Sequence, residues 1–282
     1  MIRARKGSKP LLERYGFHPL APGQELQANI QQLTSGHGLG KSRCSTVLNM
    51  ADYQLMMVEA PEVPQAELRA AIRWRIRDLI DFHIDDAVLD VFDSPASGAR
   101  AVQEHLYVVV SKTSTVNERT ELLQKAGVDL EIIDIPELAL RNIAAGLEQD
   151  ARGQALLYFE ADRGLITLTR DGELFLARGM EVGYRQLQDQ SVSVDRLALE
   201  LQRSMDYYDR HFQQAPIATI SLCPLIEPVP GLAEQLEEQT GITVKQFSVA
   251  DIVEIAEPLS DTETARCLLA IGAALRTEPT QL

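Results

Sequence analysis

The sequence predicts an α/β fold built from two halves of related element order. Strand-like alternation and helical periodicity take turns along the whole chain. An acidic, glycine-containing link, Glu148 to Gly153, divides it near the middle, and the elements on either side of that link come in nearly the same order.

Taken in order, Arg3–Lys6 and Leu11–His18 flank the turn residues Gly7-Ser8-Lys9-Pro10 and read as a hairpin. Gly23–Leu33 reads as a helix, with Leu26, Ile30 and Leu33 at spacings of four and three. Gly36–Gly40 is a loop, and Cys44–Met50 alternates as a strand. A helix begins at Pro64, a residue suited to the first helical position, and Leu68, Ile72, Ile76 and Leu79 form its apolar face on the way to Asp81. Ala87–Phe92 and His105–Val110 are strands separated by Pro-Ala-Ser-Gly. Helix Thr113–Lys125, strand Asp129–Asp134 and helix Pro136–Leu147 complete the first half.

Beyond the link, Ala155–Phe159, Leu165–Thr169 and Glu173–Ala177 are strands, the last two joined by the turn Arg170-Asp171-Gly172. A long helix covers Leu197–Phe212, with Ser193 as its cap and Asp195 in its first turn. Leu197, Leu201, Met205, Tyr208 and Phe212 form its buried stripe, while Glu200, Arg203 and Tyr207 form a polar one. Strand Ile217–Leu222, helix Leu232–Gln239 and strand Ile242–Phe247 follow. Ser260-Asp261-Thr262-Glu263 matches a capping box and opens a final helix to Arg276, whose small residues Ala265, Gly272 and Ala273 admit a close neighbour.

Set side by side, the second half runs three strands, helix, strand, helix, strand, helix. The first runs two strands, helix, strand, an insertion at about 51–111, then helix, strand, helix. Two such halves are the architecture of the actin and Hsp70 class, a duplicated ribonuclease H-like fold, here lacking its first strand. The expected division is a first domain over 1–150, a second over 151–260, and a terminal helix over 261–282 returning toward the first.

At 282 residues the chain has room for two domains, and 45% hydrophobic with 24% charged residues is ordinary for a folded protein. A net charge of −14 argues against nucleic acid, which needs a basic face. The basic start (Arg3, Arg5, Lys6, Lys9, Arg14) reads as a solvated hairpin, with anionic lipid as the sharper alternative. Cys44, Cys223 and Cys267 are too few and too scattered for a disulfide framework or a zinc site, which suggests a reducing compartment. No run approaches the ~20 apolar residues that span a bilayer, so membrane association would go through a partner.

Several local patterns invite chemistry and fail a context test. Ser35–Ser42, SGHGLGKS, is one residue short of a phosphate-binding P-loop, but a helix precedes it and a strand follows, the reverse of what such a loop needs. Asp81, His83 and Asp85 would share one side of an extended segment as a metal triad, yet a charged loop is the plainer reading and no second histidine cluster supports a metal. There is no nucleophile elbow, no H-E-x-x-H and no C-x-x-C. On the helix after Pro64, Arg69, Arg73 and Arg77 recur every four residues beside the single tryptophan, Trp74. A solvated basic face is the ordinary explanation. Because Trp and Arg are enriched at interface hot spots, the group is also a candidate docking surface.

The string LALELQRSMDYYDRHF (Leu197–Phe212) resembles the E-x-x-R-S-x-D-Y-Y helix of PilM-type pilus-assembly proteins, an actin-like family. Ala70–Pro95 (AAIRWRIRDLIDFHIDDAVLDVFDSP), Arg170–Gly183 (RDGELFLARGMEVG) and Ala270–Arg276 (AIGAALR) add similarity to the MshI-type branch found in mannose-sensitive hemagglutinin (MSHA) pilus systems. The similarity runs over nearly the whole chain. It implies an actin-like fold with a family-specific insert and a role in type IV pilus assembly on the cytoplasmic side of the inner membrane. The partner it implies is a PilN- or MshJ-like bitopic membrane protein, bound through its N-terminal peptide, with a pilus assembly ATPase as a further contact.

The resemblance also locates the family's ATP site, where two Asp-x-Gly loops hold phosphate and Mg²⁺. In the second half the matching residues are Tyr158, Phe159 and Glu160, so the aspartate and the glycine are both replaced, although Asp162 lies two residues on. A carboxylate there faces the phosphates, and like charges ~4 Å apart repel by about 4 kcal/mol at an effective dielectric of ~20. The Gly-Gly that contacts adenosine is replaced by Cys223-Pro224, and proline brings a ring and no N–H. Glu200, Arg203 and Ser204 match retained cleft positions, for which an i, i+3 ion pair bracing the helix is the plainer reading.

The expectation is a non-enzymatic scaffold with no catalytic residue, no metal and no cofactor. An ATP- and Mg-binding assembly ATPase is the alternative. The cytoplasmic part of a type II secretion L-type protein ranks last, since that reading calls for a transmembrane helix after Arg276.

Overall fold

Alternating and periodic hydrophobicity resolves into short strands and amphipathic helices over residues 1–3, 8–36, 42–95 and 105–277, the part that this computed structural model describes. The chain divides into two compact units: Met1–Phe17 with the stretch from Glu137 onward, and the chain between, from His18 to Pro136. The opening hairpin pairs β1 (Ile2–Arg3) with β2 (Leu11–Leu12), register Ile2 to Leu12. The second strand is much shorter than its sequence suggests. The turn between them falls partly outside the described residues.

In the unit from His18 to Pro136, helix α1 spans Leu26–Gly36, later than the Gly23–Leu33 expected, and Leu26 stays exposed while Thr34 is buried. The P-loop-like string begins at the end of that helix, its residues 37–41 lie outside the described residues, and strand β3 (Cys44–Val47) follows. Next comes β4 (Tyr53–Glu59), a strand the sequence reading does not assign. Helix α2 (Gln65–Ile76) has Pro64 as its N-cap residue. It stops short of Asp81, so Leu79 is exposed rather than part of the apolar face. Strands β5 (Ala87–Asp93) and β6 (His105–Lys112) complete an antiparallel sheet of order β4-β6-β5. Ile72 and Ile76 of α2 pack with Val58, Ala87, Leu106, Val108 and Val110 in its core. Helix α3 (Thr113–Lys125) leads to β7 (Leu130–Asp134), which pairs in parallel with β3.

In the other unit, α4 (Pro136–Ala144) is followed by the acidic link, which folds as a 3-10 turn over Glu148–Arg152. Asp150, 3% exposed, accepts hydrogen bonds from Thr169 Oγ1 (2.6 Å) and the Gly172 N–H (2.5 Å). Strands β8 (Gln154–Phe159), β9 (Gly164–Arg170) and β10 (Glu173–Met180) form a meander. Its second turn places Asp171 and Gly172 at φ 52° and 77°, a conformation glycine takes without cost. A short helix α5 (Tyr184–Gln188), absent from the sequence reading, precedes α6 (Val194–Phe212), where Ser193 caps the N–H of Arg196 at 3.4 Å. Leu197, Leu201, Tyr208 and Phe212 are buried as their stripe requires.

Strand β11 (Thr219–Leu222), helix α7 (Leu232–Thr240) and β12 (Thr243–Gln246) complete a five-stranded sheet of order β10-β9-β8-β11-β12. Strand β13 (Glu254–Ile255) joins β2 in parallel, and α8 (Asp261–Ala274) starts from the expected capping box at Ser260. Gly272 lets α8 approach α4: a Cβ there would lie 2.2 Å from the Ala139 carbonyl oxygen. No helix among the described residues is long and apolar enough to cross a membrane.

Candidate functional site

Parallel strands that end side by side make a natural ligand position, because their C-terminal ends open onto a crevice. Strands β8 and β11 end this way, in register from Thr219–Gln154 to Leu222–Leu157, with the Cys223 N–H donating to the Leu157 carbonyl at 2.9 Å. The structure therefore brings Tyr158, Cys223 and Pro224 to adjacent strand ends, all three buried. Burial pushes the Tyr158 hydroxyl far up, helped by the charge on Glu160, and burial alone pushes the Cys223 thiol up. Both groups are neutral.

Glu160 opens the β8–β9 turn, its N–H donating to the Arg163 carbonyl at 2.8 Å. Partial burial raises its carboxyl above the usual range, with Arg163 pulling the other way. The turn rests on the start of α5. The N–H groups of Tyr184 and Arg185 donate to the carbonyls of Glu160 and Ala161 at 3.0 and 3.1 Å. Helix-start N–H groups of this kind are what an anion would seek, and here two of them are taken by the chain itself. Gly183 makes the contact possible, since a Cβ would stand 2.2 Å from the Ala161 carbonyl oxygen. Asp162 sits on this turn within 3.5 Å of Arg185.

Glu200 lies on α6 and is gripped from two sides: Arg178 of β10 at 2.9 Å and Arg203 one turn on at 2.8 Å. The Arg178 hydrogen bond leads in holding its carboxyl below the usual range, Arg203 assists, and partial burial opposes. Arg178 stands in the same sheet row as Ile166, Leu157 and Leu222, one residue short of Tyr158 and Cys223, so the ion pair sits at the same end of the sheet as those two residues. Ser204 is fully buried and donates to the Glu200 carbonyl at 2.7 Å, a bond internal to the helix. Arg178 is the member that the sequence reading did not single out, although it stands within the Arg170–Gly183 block.

The basic helix behaves differently from residue to residue. Arg69 pairs with Asp90 at 2.9 Å. Arg73 donates to the carbonyls of Ala87 (3.0 Å) and Ile84, tying α2 to the start of β5. Arg77 bonds Asp78 at 3.2 Å and stacks its guanidinium 5.5 Å from the ring centroid of Trp74, which is 74% exposed. Trp74 and Arg77 thus remain on the surface, whereas Arg73 is spent on the fold. The acidic loop beyond makes no triad: Asp81 accepts from Gln54 at 2.7 Å, and His83 Nδ1 accepts from the Asp85 N–H at 3.3 Å. Among the described residues no cluster of three His, Cys, Asp or Glu is placed to hold a metal ion.

No family model and no curated protein matches the chain. Among solved structures, it is similar to a chain of the PilM–PilN type IV pilus biogenesis complex, 21% identical, covering 99% of this chain and 95% of that one with a TM-score of 0.76. A looser likeness, 13% identical with a TM-score of 0.48 over 95% and 94% of the two chains, is to the cytoplasmic domain of EpsL, an inner membrane component of the type II secretion system of Vibrio cholerae. The chain has an actin-like fold.

Proposed function

We propose that the protein is a PilM-like scaffold of a type IV pilus assembly complex, of the MSHA kind, working without ATP hydrolysis. It sits in the cytoplasm against the inner membrane and binds the N-terminal peptide of a PilN- or MshJ-like bitopic protein, with a pilus assembly ATPase as a second contact. The likeness in shape to a chain of the PilM–PilN complex along 99% of the sequence carries the scaffold part of this reading. The altered strand ends support the rest: a partly buried carboxylate at Glu160, a proline at Pro224, and helix-start N–H groups already engaged. Such a site repels a triphosphate and offers it few donors.

Two measurements test the proposal. Mg-ATP should leave the melting temperature unchanged, because a ligand at a hundredfold excess over its dissociation constant would add ~2.7 kcal/mol of stability. A clear upward shift would favour the ATP-binding alternative, which rests on the retained Glu200–Arg203 pair near the same strand ends. A synthetic N-terminal peptide of a PilN- or MshJ-like protein should co-purify with the chain, and absence of binding would remove the scaffold reading.

A further inference from the structure

The antiparallel sheet β4-β6-β5 has two edge strands, and the chain treats them differently. In such a ladder the N–H and C=O of one residue point to the same side, and that side alternates along the strand. The Ser94 N–H donates to the His105 carbonyl at 3.2 Å, so His105 turns its main chain toward β5. Leu106, Val108 and Val110 therefore turn theirs toward β4, where Val58, Met56 and Gln54 meet them. That leaves Leu55, Met57 and Glu59 with main-chain groups pointing out of the sheet.

By the same alternation Ala87 and Val91 point outward from β5. Side chains cover both: Arg73 donates to the Ala87 carbonyl at 3.0 Å, and the Asp90 carboxylate accepts the Val91 N–H at 3.0 Å. Exposed Asp90 and Asp93 add charge, a usual guard against stray pairing. On β4 such cover stands at one end, where Arg75 donates to the Glu59 carbonyl at 2.6 Å. The run Gln54-Leu55-Met56-Met57-Val58 carries no charge, no proline and no bulge, and Gln54 to Met57 are only half-buried. Among the described residues β4 pairs with β6 alone.

We propose that β4 is a joint between two copies of this chain, paired antiparallel about a twofold axis at Met56. Two features fit a second copy. Leu55 and Met57 flank the axis, so Leu55 falls opposite Met57 of the second copy, and each such pair exchanges two main-chain hydrogen bonds. The strand's ends also match one another in charge. Asp52 lies 3.8 Å from Arg119 at one end, and Glu59 lies 3.7 Å from Arg75 at the other. Antiparallel pairing sets the Asp52 end of one copy beside the Glu59 end of the other, and each carboxylate arrives with its own cation, so like charges are not left facing each other. The two three-stranded sheets become one of six strands.

Sedimentation equilibrium of the 282-residue chain tests this, in physiological salt to screen the net charge of −14 on each copy. The mass should climb with concentration from 31.3 kDa toward twice that value. Amide hydrogen exchange on the same samples reads the joint itself. Leu55 and Met57 should exchange roughly tenfold or more slowly in the concentrated sample, while Gln54, Met56 and Val58, already facing β6, stay unchanged. Met57→Pro removes an outward N–H and no bond to β6, so it should keep the circular dichroism spectrum and stay monomeric. Leu55→Lys, which puts a charge on the edge, should do the same and decides the matter if the proline variant unfolds. A mass fixed at 31.3 kDa overturns the proposal. So does a dimer that leaves Leu55 and Met57 unprotected, or one that survives in a folded edge variant. Protection seen only with a PilN- or MshJ-like peptide would assign the edge to a partner and overturn it equally.

Discussion

Glu160 and Glu200 are carboxylates near one end of the same sheet, and their environments push them in opposite directions. Partial burial raises Glu160, so its favourable contribution exists below the ordinary carboxylate range and is lost as pH rises through its raised folded value. Glu160→Gln should therefore stabilise the protein at pH 7, by roughly 0.5 kcal/mol, with the gain fading on acidification. Glu200 is lowered, chiefly by Arg178, so its contribution exists above the ordinary range and is lost as pH falls through its lowered folded value. Glu200→Gln should cost about 0.5–1 kcal/mol at pH 7 and nearly nothing once both states are protonated. Urea melts between pH 3 and about pH 7 would check both, and equal pH slopes in the two variants would contradict the assignment. At Gly183 the issue is contact: Gly183→Ala drives a methyl into the Ala161 carbonyl and should cost about 2–3 kcal/mol, read by the same melts. Residue-level legibility followed type. The identities at Tyr158–Glu160 were readable directly, whereas Arg178 and Gly183 owe their roles to cross-strand register and a backbone approach that spacing does not encode.

Helix α2 shows why periodicity locates an element better than it assigns its surface. Arg69, Arg73 and Arg77 share one face by spacing, yet Arg73 alone reaches main-chain carbonyls across the gap to Ile84 and Ala87. Arg73→Ala should destabilise the protein by about 1–2 kcal/mol, because two carbonyls lose a charged donor. Trp74→Ala should leave the melting temperature nearly unchanged and, if α2 contacts the membrane partner's peptide, weaken its capture in a pull-down. Unaltered capture would clear this helix of the interface. Strand β4 escaped the sequence reading because Leu55-Met56-Met57-Val58 is a continuous apolar run without alternation, as a strand pairing with the central strand of its sheet can afford to be. The short helix α5 and the two-residue β13 were too brief to leave a periodic trace. Long amphipathic elements such as α3 and α6 were legible nearly to the residue.

For the molecule as a whole, repetition was the most informative signal. The second half closes into a five-stranded sheet, whereas among the described residues β3 pairs with β7 alone. The link at Glu148–Gly153 was harder to read, because acidic residues and a glycine look alike in a tether and in a fixed turn. It is the latter here. Asp150 is buried and holds the β9–β10 turn through Thr169 and Gly172. Gly153, at φ 81°, lies so near Arg170 that a Cβ would come within 2.9 Å of the guanidinium. A protease must draw several residues out of register to cut, which this stretch resists. Brief trypsin digestion should leave the Arg152–Gly153 bond whole, so gel bands splitting the protein near its midpoint should be missing, and any attempt to sever or graft the two halves at this spot would tear out a rivet rather than open a hinge.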